Sequence, residues 1–242
     1  MRRFYAPPER FQDDTVMLDP DETRHLARVL RLGVGDLVEV CDGQGRSVEA
    51  RLTGLDPKGA HLRILRDLAF WGESPLVLVL GIGLAKGEAL EGVVRQATEM
   101  GVQRIIPFVS ERSERVTPER GRRRRERWQR LTREMIKSCQ RSLLPEIEAV
   151  QEFSGVLAGS EAVKLIFWEE ERGGGLQSLL AQPRPGTVRL LIGPEGGFSA
   201  AEVDQARAAG FAIASLGPRR LKVETAALAA LSLLQHAWGD LA

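Results

Sequence analysis

The chain has 242 residues, 43% of them hydrophobic and 28% charged, with a formal net charge of +1. That length carries one large domain or a small one plus a medium one, and the near-neutral charge excludes a globally basic nucleic-acid binder. Cys41, Cys139 and the three histidines give neither a disulfide framework nor a spaced metal-ligand set, so no metal is expected.

The N-terminus, MRRFYAPPERF, is basic without an apolar stretch behind it, and no run reaches transmembrane length. A cytoplasmic protein with no membrane partner is expected. TVML, DLVEVCDGQG, SVEARLTGLD and GAHLRIL then read as strands, punctuated by Asp42-Gly43 and Asp56-Pro57. DETRHLARVLRL reads as a helix between them, with Asp21 as its cap and Leu26, Val29 and Leu30 as its buried stripe. This predicts a small β-rich module over residues 1–70. Trp71-Gly72-Glu73-Ser74-Pro75 reads as a linker.

Beyond it, LVLVLGIG, RIIPFV, AVKLIFW, TVRLLIG and AIASLG are continuous apolar runs, the pattern of strands buried on both faces. Helical segments are predicted near 87–101, 118–140, 176–182, 199–209 and 224–238, with Gly173-Gly174-Gly175 as a surface loop. The alternation predicts a parallel α/β sheet in a second domain over residues 74–242. The last helix, TAALAALSLLQHAW, is apolar nearly all round, which fits burial in the protein's own core or against a partner chain.

Ligands of open α/β sheets bind beyond the carboxyl ends of the strands. Gly193-Pro194-Glu195-Gly196-Gly197 has that address, and a capping box, Ser199 to Glu202, follows it. The loop Leu216 to Thr225 has it too. Neither ends in the Lys-Ser/Thr of a phosphate cradle, and Glu195 would repel a phosphate. S-adenosylmethionine, with no phosphate and a sulfonium cation, meets these requirements. A tight turn whose glycines supply positive φ accounts for the first loop equally simply.

The stretch RGRRRRERWQRLTREMIKSCQRSLLPE, residues 120–146, places Trp128, Leu131, Met135, Ile136 and Cys139 on one helical stripe. Arginines cover much of the rest. They read as a solvated face or as a phosphate-binding surface, the second because the acidic residues are mostly elsewhere in the chain.

HLARVLRLGVGDLVEVCDG, KGEALEGVVRQATEMGVQRIIP, LLIGPEGGFSAAE and LGPRRLKVETAALAALSLLQ together resemble the SPOUT-type methyltransferases. Within them the chain resembles most the small-subunit ribosomal RNA methyltransferase E family, which methylates N3 of one uridine near the decoding region of 16S rRNA. The resemblance implies a PUA-like β-barrel module, a parallel sheet with a C-terminal deep trefoil knot, a homodimer, and a substrate within the small ribosomal subunit. It implies an S-adenosylmethionine site at Ile192, Gly193, Pro194, Glu195, Gly196, Gly197, Leu216, Gly217, Leu221, Lys222 and Thr225.

Removing the imide proton of uridine leaves negative charge on the ring carbonyls, which an arginine fork can stabilise. Arg141, aided by Arg112, is the candidate. Glu224 is a candidate general base or organiser of its loop, or a carboxylate that simply favours the helix dipole. Candidate RNA contacts are Arg3, His25, Arg28 and Arg31 in the module, with Lys86, Arg122, Arg123 and Arg124 beyond it. The chain departs from the family at Lys137-Ser138, where Glu-Gln is usual, and at Gln96 and Met100.

Overall fold

A computed structural model describes residues 1–69, 72–173 and 175–241. Trp71 of the expected linker and Gly174 of the glycine loop lie outside the described residues. The chain divides into two compact units, Met1–Glu73 with Arg133–Leu144, and Ser74–Thr132 with Pro145–Ala242.

The first unit contains β1 (Arg2–Tyr5), β2 (Phe11–Gln12), β3 (Thr15–Met17), the short α1 (Pro20–Arg24), β4 (Leu37–Cys41), β5 (Ser47–Asp56) and β6 (Gly59–Asp67). The strands form one sheet in the order β1-β4-β5-β6-β3-β2, with β1 parallel to β4 and the other pairs antiparallel. Its inward residues, among them Phe4, Val16, Val38, Val40, Val48, Leu52 and Leu62, make one core. The β5–β6 turn is set by Asp56, whose carboxylate accepts the N–H groups of Lys58 and Gly59. A Cβ on Gly59 would stand 2.1 Å from the Leu18 carbonyl oxygen, so only glycine closes this turn.

Two local expectations change. The cap of α1 is Asp19, which accepts from the N–H groups of Asp21 and Glu22, because Pro20 suits the first helical position and needs no partner for a missing N–H. From His25 to Val29 the helix then widens into a π turn, closed by Leu30 N–H donating to the His25 carbonyl at 3.0 Å. The wider turn keeps Leu26 buried but rotates Val29 out to 65% exposure, so the predicted stripe is broken there.

The second unit contains β7 (Val77–Gly83), α2 (Ala89–Glu99), β8 (Arg104–Val109), the long α3 (Pro118–Cys139), β9 (Glu146–Ile147), β10 (Gln151–Glu152), α4 (Phe153–Val156), β11 (Val163–Phe167), α5 (Gly175–Leu180), β12 (Thr187–Ile192), α6 (Ala200–Ala208), β13 (Ala212–Ala214) and α7 (Val223–Trp238). Residues of α3 up to Thr132 belong to this unit, and those from Arg133 to the first. The sheet order is β10-β8-β7-β12-β11-β13 with β9 beside β8, and the pairs are parallel. Strand periodicity sends Leu78, Leu80 and Ile82 to the α2–α7 face and Val79 to the face of α4 and α6. Burial on both faces explains the continuous apolar runs.

Helix α7 buries Val223, Ala227, Ala230, Leu231, Leu234 and Trp238 in this core. Gln235 is buried too, accepting from Ser74 Oγ at 2.8 Å and donating to the Met100 carbonyl at 2.6 Å. One face of α7 therefore belongs to its own unit. Thr225, Leu233, His236 and Ala237 on the other are exposed.

Residues 133–144 pack within the first unit. The Arg133 guanidinium lies 5.6 Å from the centre of the Tyr5 ring. Lys137, where the family usually has Glu, pairs with Glu22 at 2.5 Å, which gives the departure a local partner. Helix α3 ends at Gln140, a non-glycine residue at φ +64, in the left-handed region that costs a side chain about 1–2 kcal/mol. Gln140→Gly is expected to raise unfolding stability by about 0.5–1 kcal/mol, the relief being offset partly by chain entropy. Urea or calorimetric unfolding of the two proteins checks this.

Candidate functional site

The second unit's site is built at the carboxyl ends of β7, β11, β12 and β13. At the end of β7, a Cβ on Gly83 would fall 2.5 Å from the backbone nitrogen of Pro194, so glycine lets the two loops touch. Gly193 to Gly197 then makes a turn closed by Gly197 N–H donating to the Pro194 carbonyl at 2.9 Å, with Gly197 at φ +68. Side chains from neighbouring loops fix this turn from outside. Glu195 Oε1 accepts the Lys86 backbone N–H at 2.9 Å. Arg112 Nη1 donates to the Gly196 carbonyl at 3.1 Å and to that of Phe198 at 3.4 Å.

Behind the turn, α6 starts with the full capping box. Ser199 accepts from Glu202 N–H, and the Glu202 carboxylate accepts from Ser199 N–H. The same buried carboxylate accepts the N–H of Glu111 at 2.8 Å, tying the loop after β8 to the start of α6. The second loop, 215–222, carries Gly217 at φ +104 and leads into α7.

Between the loops lies a cleft of about 260 Å³, lined by residues 167–169, 192–198, 215–217 and 219–221, with Val223 and Ala226 of α7. Ile192, Gly193 to Gly197, Leu216, Gly217 and Leu221, all picked out from the sequence, line it. Lys222 and Thr225 do not. Val223 and Ala226 stand one helical turn apart and face the cleft, which turns their neighbours Lys222 and Thr225 outward, where both are exposed. Sequence reasoning missed Phe167, Trp168 and Glu169, although they lie at the carboxyl end of a predicted strand; placing them here requires knowing that β11 lies between β12 and β13. Phe198 and Ser215 were missed while sitting beside the quoted loops, whereas Arg219 and Arg220, within the loop Leu216 to Thr225, do line the cleft.

The candidate catalytic residues are divided. Arg112 holds the Gly196–Phe198 backbone, as described. Glu224 lies in the first turn of α7, half-buried and outside the cleft lining, with its Cγ 3.8 Å from where a Cβ on Gly92 would be. Arg141 is in the first unit, 1% exposed, paired with Glu73 through Nε at 3.0 Å and Nη2 at 2.8 Å. Glu73 also accepts the N–H groups of Ser142 and Leu143, each at 2.9 Å, so one carboxylate organises the whole segment after α3. Nothing local in the sequence marks Glu73 for this task, since its partners are about seventy residues away.

The basic residues separate as well. His25, Arg28 and Arg31 are exposed on the first unit, and Lys86 and Arg122 on the second. Arg3 is internal instead: its side chain is 5% exposed, donates to Ser47 and Ser142 and pairs with Glu39. The arginines of α3 also have more acidic company than chain order suggests. Arg120 and Arg124 share Glu114 at 2.8 Å each, Arg123 pairs with Glu119, and Arg127 pairs with Glu91. Arg124 is the main cause that holds the Glu114 carboxyl below its ordinary range. Arg124 is therefore spent within the fold, as Arg3 is.

In the comparisons this parallel α/β sheet and β-rich module match RNA-modifying proteins. The RNA methyltransferase domain family matches residues 72–235, and the RNA methyltransferase PUA domain matches residues 18–65. The ribosomal RNA small subunit methyltransferase E of Synechocystis sp. is 34% identical, over 95% of this chain and 76% of its own length. That of Bacillus subtilis is 26% identical, over 98% and 96% respectively. The crystal structure of the Neisseria gonorrhoeae ribosomal RNA small subunit methyltransferase E bound to S-adenosyl methionine superposes with a TM-score of 0.90, 32% identity and 100% coverage of both chains. This chain belongs to the ribosomal RNA small subunit methyltransferase E family.

Glu202→Ala removes the return half of the capping box and the acceptor for Glu111, and is expected to cost roughly 2–3 kcal/mol. A lowered thermal midpoint for this variant, against little change for the exposed neighbour Asp204→Ala, checks the assignment.

Proposed function

We propose that the protein uses S-adenosylmethionine to methylate N3 of a uridine in 16S rRNA of the small ribosomal subunit. The observation that carries this reading is the cleft itself, whose walls are two glycine-bearing backbone loops, with Glu195 on the first, Arg219 and Arg220 on the second, Glu169 after β11, and no lining lysine. At these loops a Cβ on Gly193 would lie 3.2 Å from the Phe198 ring, and the position over Gly217 is open. Such walls suit a ligand held by backbone hydrogen bonds, with adenine and ribose edges and no phosphate. When bound, this cofactor supplies an electrophilic methyl group on a sulfonium.

The residues of the chain supply position and charge. The turn 193–197 and loop 215–221 orient the ligand, which is a proximity effect. Arg112 acts as a positioning residue through the Gly196 and Phe198 carbonyls. Arg141 positions the segment after α3 through Glu73, and Glu224 favours the start of α7. Exposed His25, Arg28, Arg31, Lys86, Arg122 and Arg123 meet the RNA backbone, with the target base unstacked for reaction. In this reading the C-terminal segment is threaded as a trefoil knot, and two copies associate through the exposed face of α7 around Leu233, which is 40% exposed.

Purified protein with radiolabelled S-adenosylmethionine should place label as 3-methyluridine in small subunits taken from cells lacking the enzyme. Naked rRNA and bulk tRNA serve as parallel substrates. Label only in tRNA would discard the substrate reading, and no label in any substrate, without cofactor binding, would discard the cofactor reading as well.

A further inference from the structure

Resting on the cofactor reading above, we infer that Glu169 is the residue that makes the cleft prefer the positively charged methyl donor to its neutral demethylated product. Two carboxylates line the cleft, Glu169 and Glu195. Glu195 is the one the loop sequence advertises, but its Oε1 already accepts the backbone N–H of Lys86, so part of its acceptor capacity is used to hold a neighbouring loop. Glu169 has no such task. Its side chain makes no hydrogen bond and no ion pair with any described residue.

Its place is also built. Glu169 follows the carboxyl end of β11, and a Cβ on Gly197 would stand 2.3 Å from its Oε1 and 3.0 Å from its Oε2. Gly197 is required for φ +68, and the Glu169 carboxylate lies over the face that its missing side chain leaves open. A half-buried carboxylate pressed against the turn gives up hydration, and no cation among the described residues pairs with it. Arg219 and Arg220 line the same cleft without forming an ion pair with it.

A ligand cation supplies what the chain withholds. S-adenosylmethionine carries a sulfonium that becomes a neutral thioether once the methyl group has left, while its amino-acid and nucleoside parts keep their charge. A carboxylate directed at the sulfur therefore favours donor over product, whereas one directed at the ammonium group favours both alike. Partial exposure limits the preference to roughly tenfold.

Isothermal titration of the full chain with S-adenosylmethionine and with S-adenosylhomocysteine tests this. Glu169→Gln is expected to weaken the donor about tenfold and leave the product within about twofold, with Glu169→Asp in between. Because Glu169 makes no hydrogen bond or ion pair with a described residue, the thermal midpoints of the free proteins should agree. Equal weakening of both ligands, or of neither, would overturn the inference while leaving the cofactor reading intact. A wild-type protein that binds neither ligand would overturn the cofactor reading itself.

Discussion

The second unit's site depends on a close contact between backbones, the approach of the β7 and β12 carboxyl ends at Gly83 and Pro194. With no Cβ at Gly83, the first residues of the loop after β12 lie directly on the end of β7. Glu195 can then reach the Lys86 N–H, Arg112 can cap the Gly196 and Phe198 carbonyls, and Glu202 can bind Glu111. Three elements distant in sequence are locked by side-chain-to-backbone bonds. The loop's inner surface is thereby left free for a ligand. A larger residue at Gly83 would separate the strands' ends and release all of these bonds together.

The first unit shows the same economy in its charged groups. Arg141 and Glu73 form a buried pair whose carboxylate also satisfies two backbone N–H groups, the arrangement under which a buried ion pair can be tolerated. Breaking such a pair by deleting one partner typically costs about 3–5 kcal/mol, because the other charge is left buried. Arg3, with Ser47 and Ser142, extends the network toward β1. An arginine that chain position suggests for chemistry is in this way committed to holding the segment after α3.

What the sequence made legible was local. The apolar runs predicted the strands of the parallel sheet, the Ser199–Glu202 spacing predicted a capping box, and the GPEGG glycines predicted a tight turn with a positive φ. Each of these is decided by residues within one turn or one strand of each other. The differences are partly local and partly long-range. Val29 leaves the predicted stripe because a π turn shifts the helical face, and the cap falls on Asp19 rather than Asp21 because Pro20 takes the first helical position. Of the α3 arginines, Arg120, Arg123 and Arg124 meet the nearby Glu114 and Glu119, and only Arg127 finds its partners, Glu88 and Glu91, far back in the chain. Glu169 went unnoticed because only the strand order brings β11 to the cleft.

Amide hydrogen exchange with and without S-adenosylmethionine would show whether the cofactor occupies the cleft between loops 193–198 and 215–221. Slowed exchange is expected in those two loops and at the end of β11, with no change in the β5–β6 hairpin of the first unit. Unchanged exchange in both loops at saturating cofactor, or protection confined to other segments, would place the cofactor elsewhere.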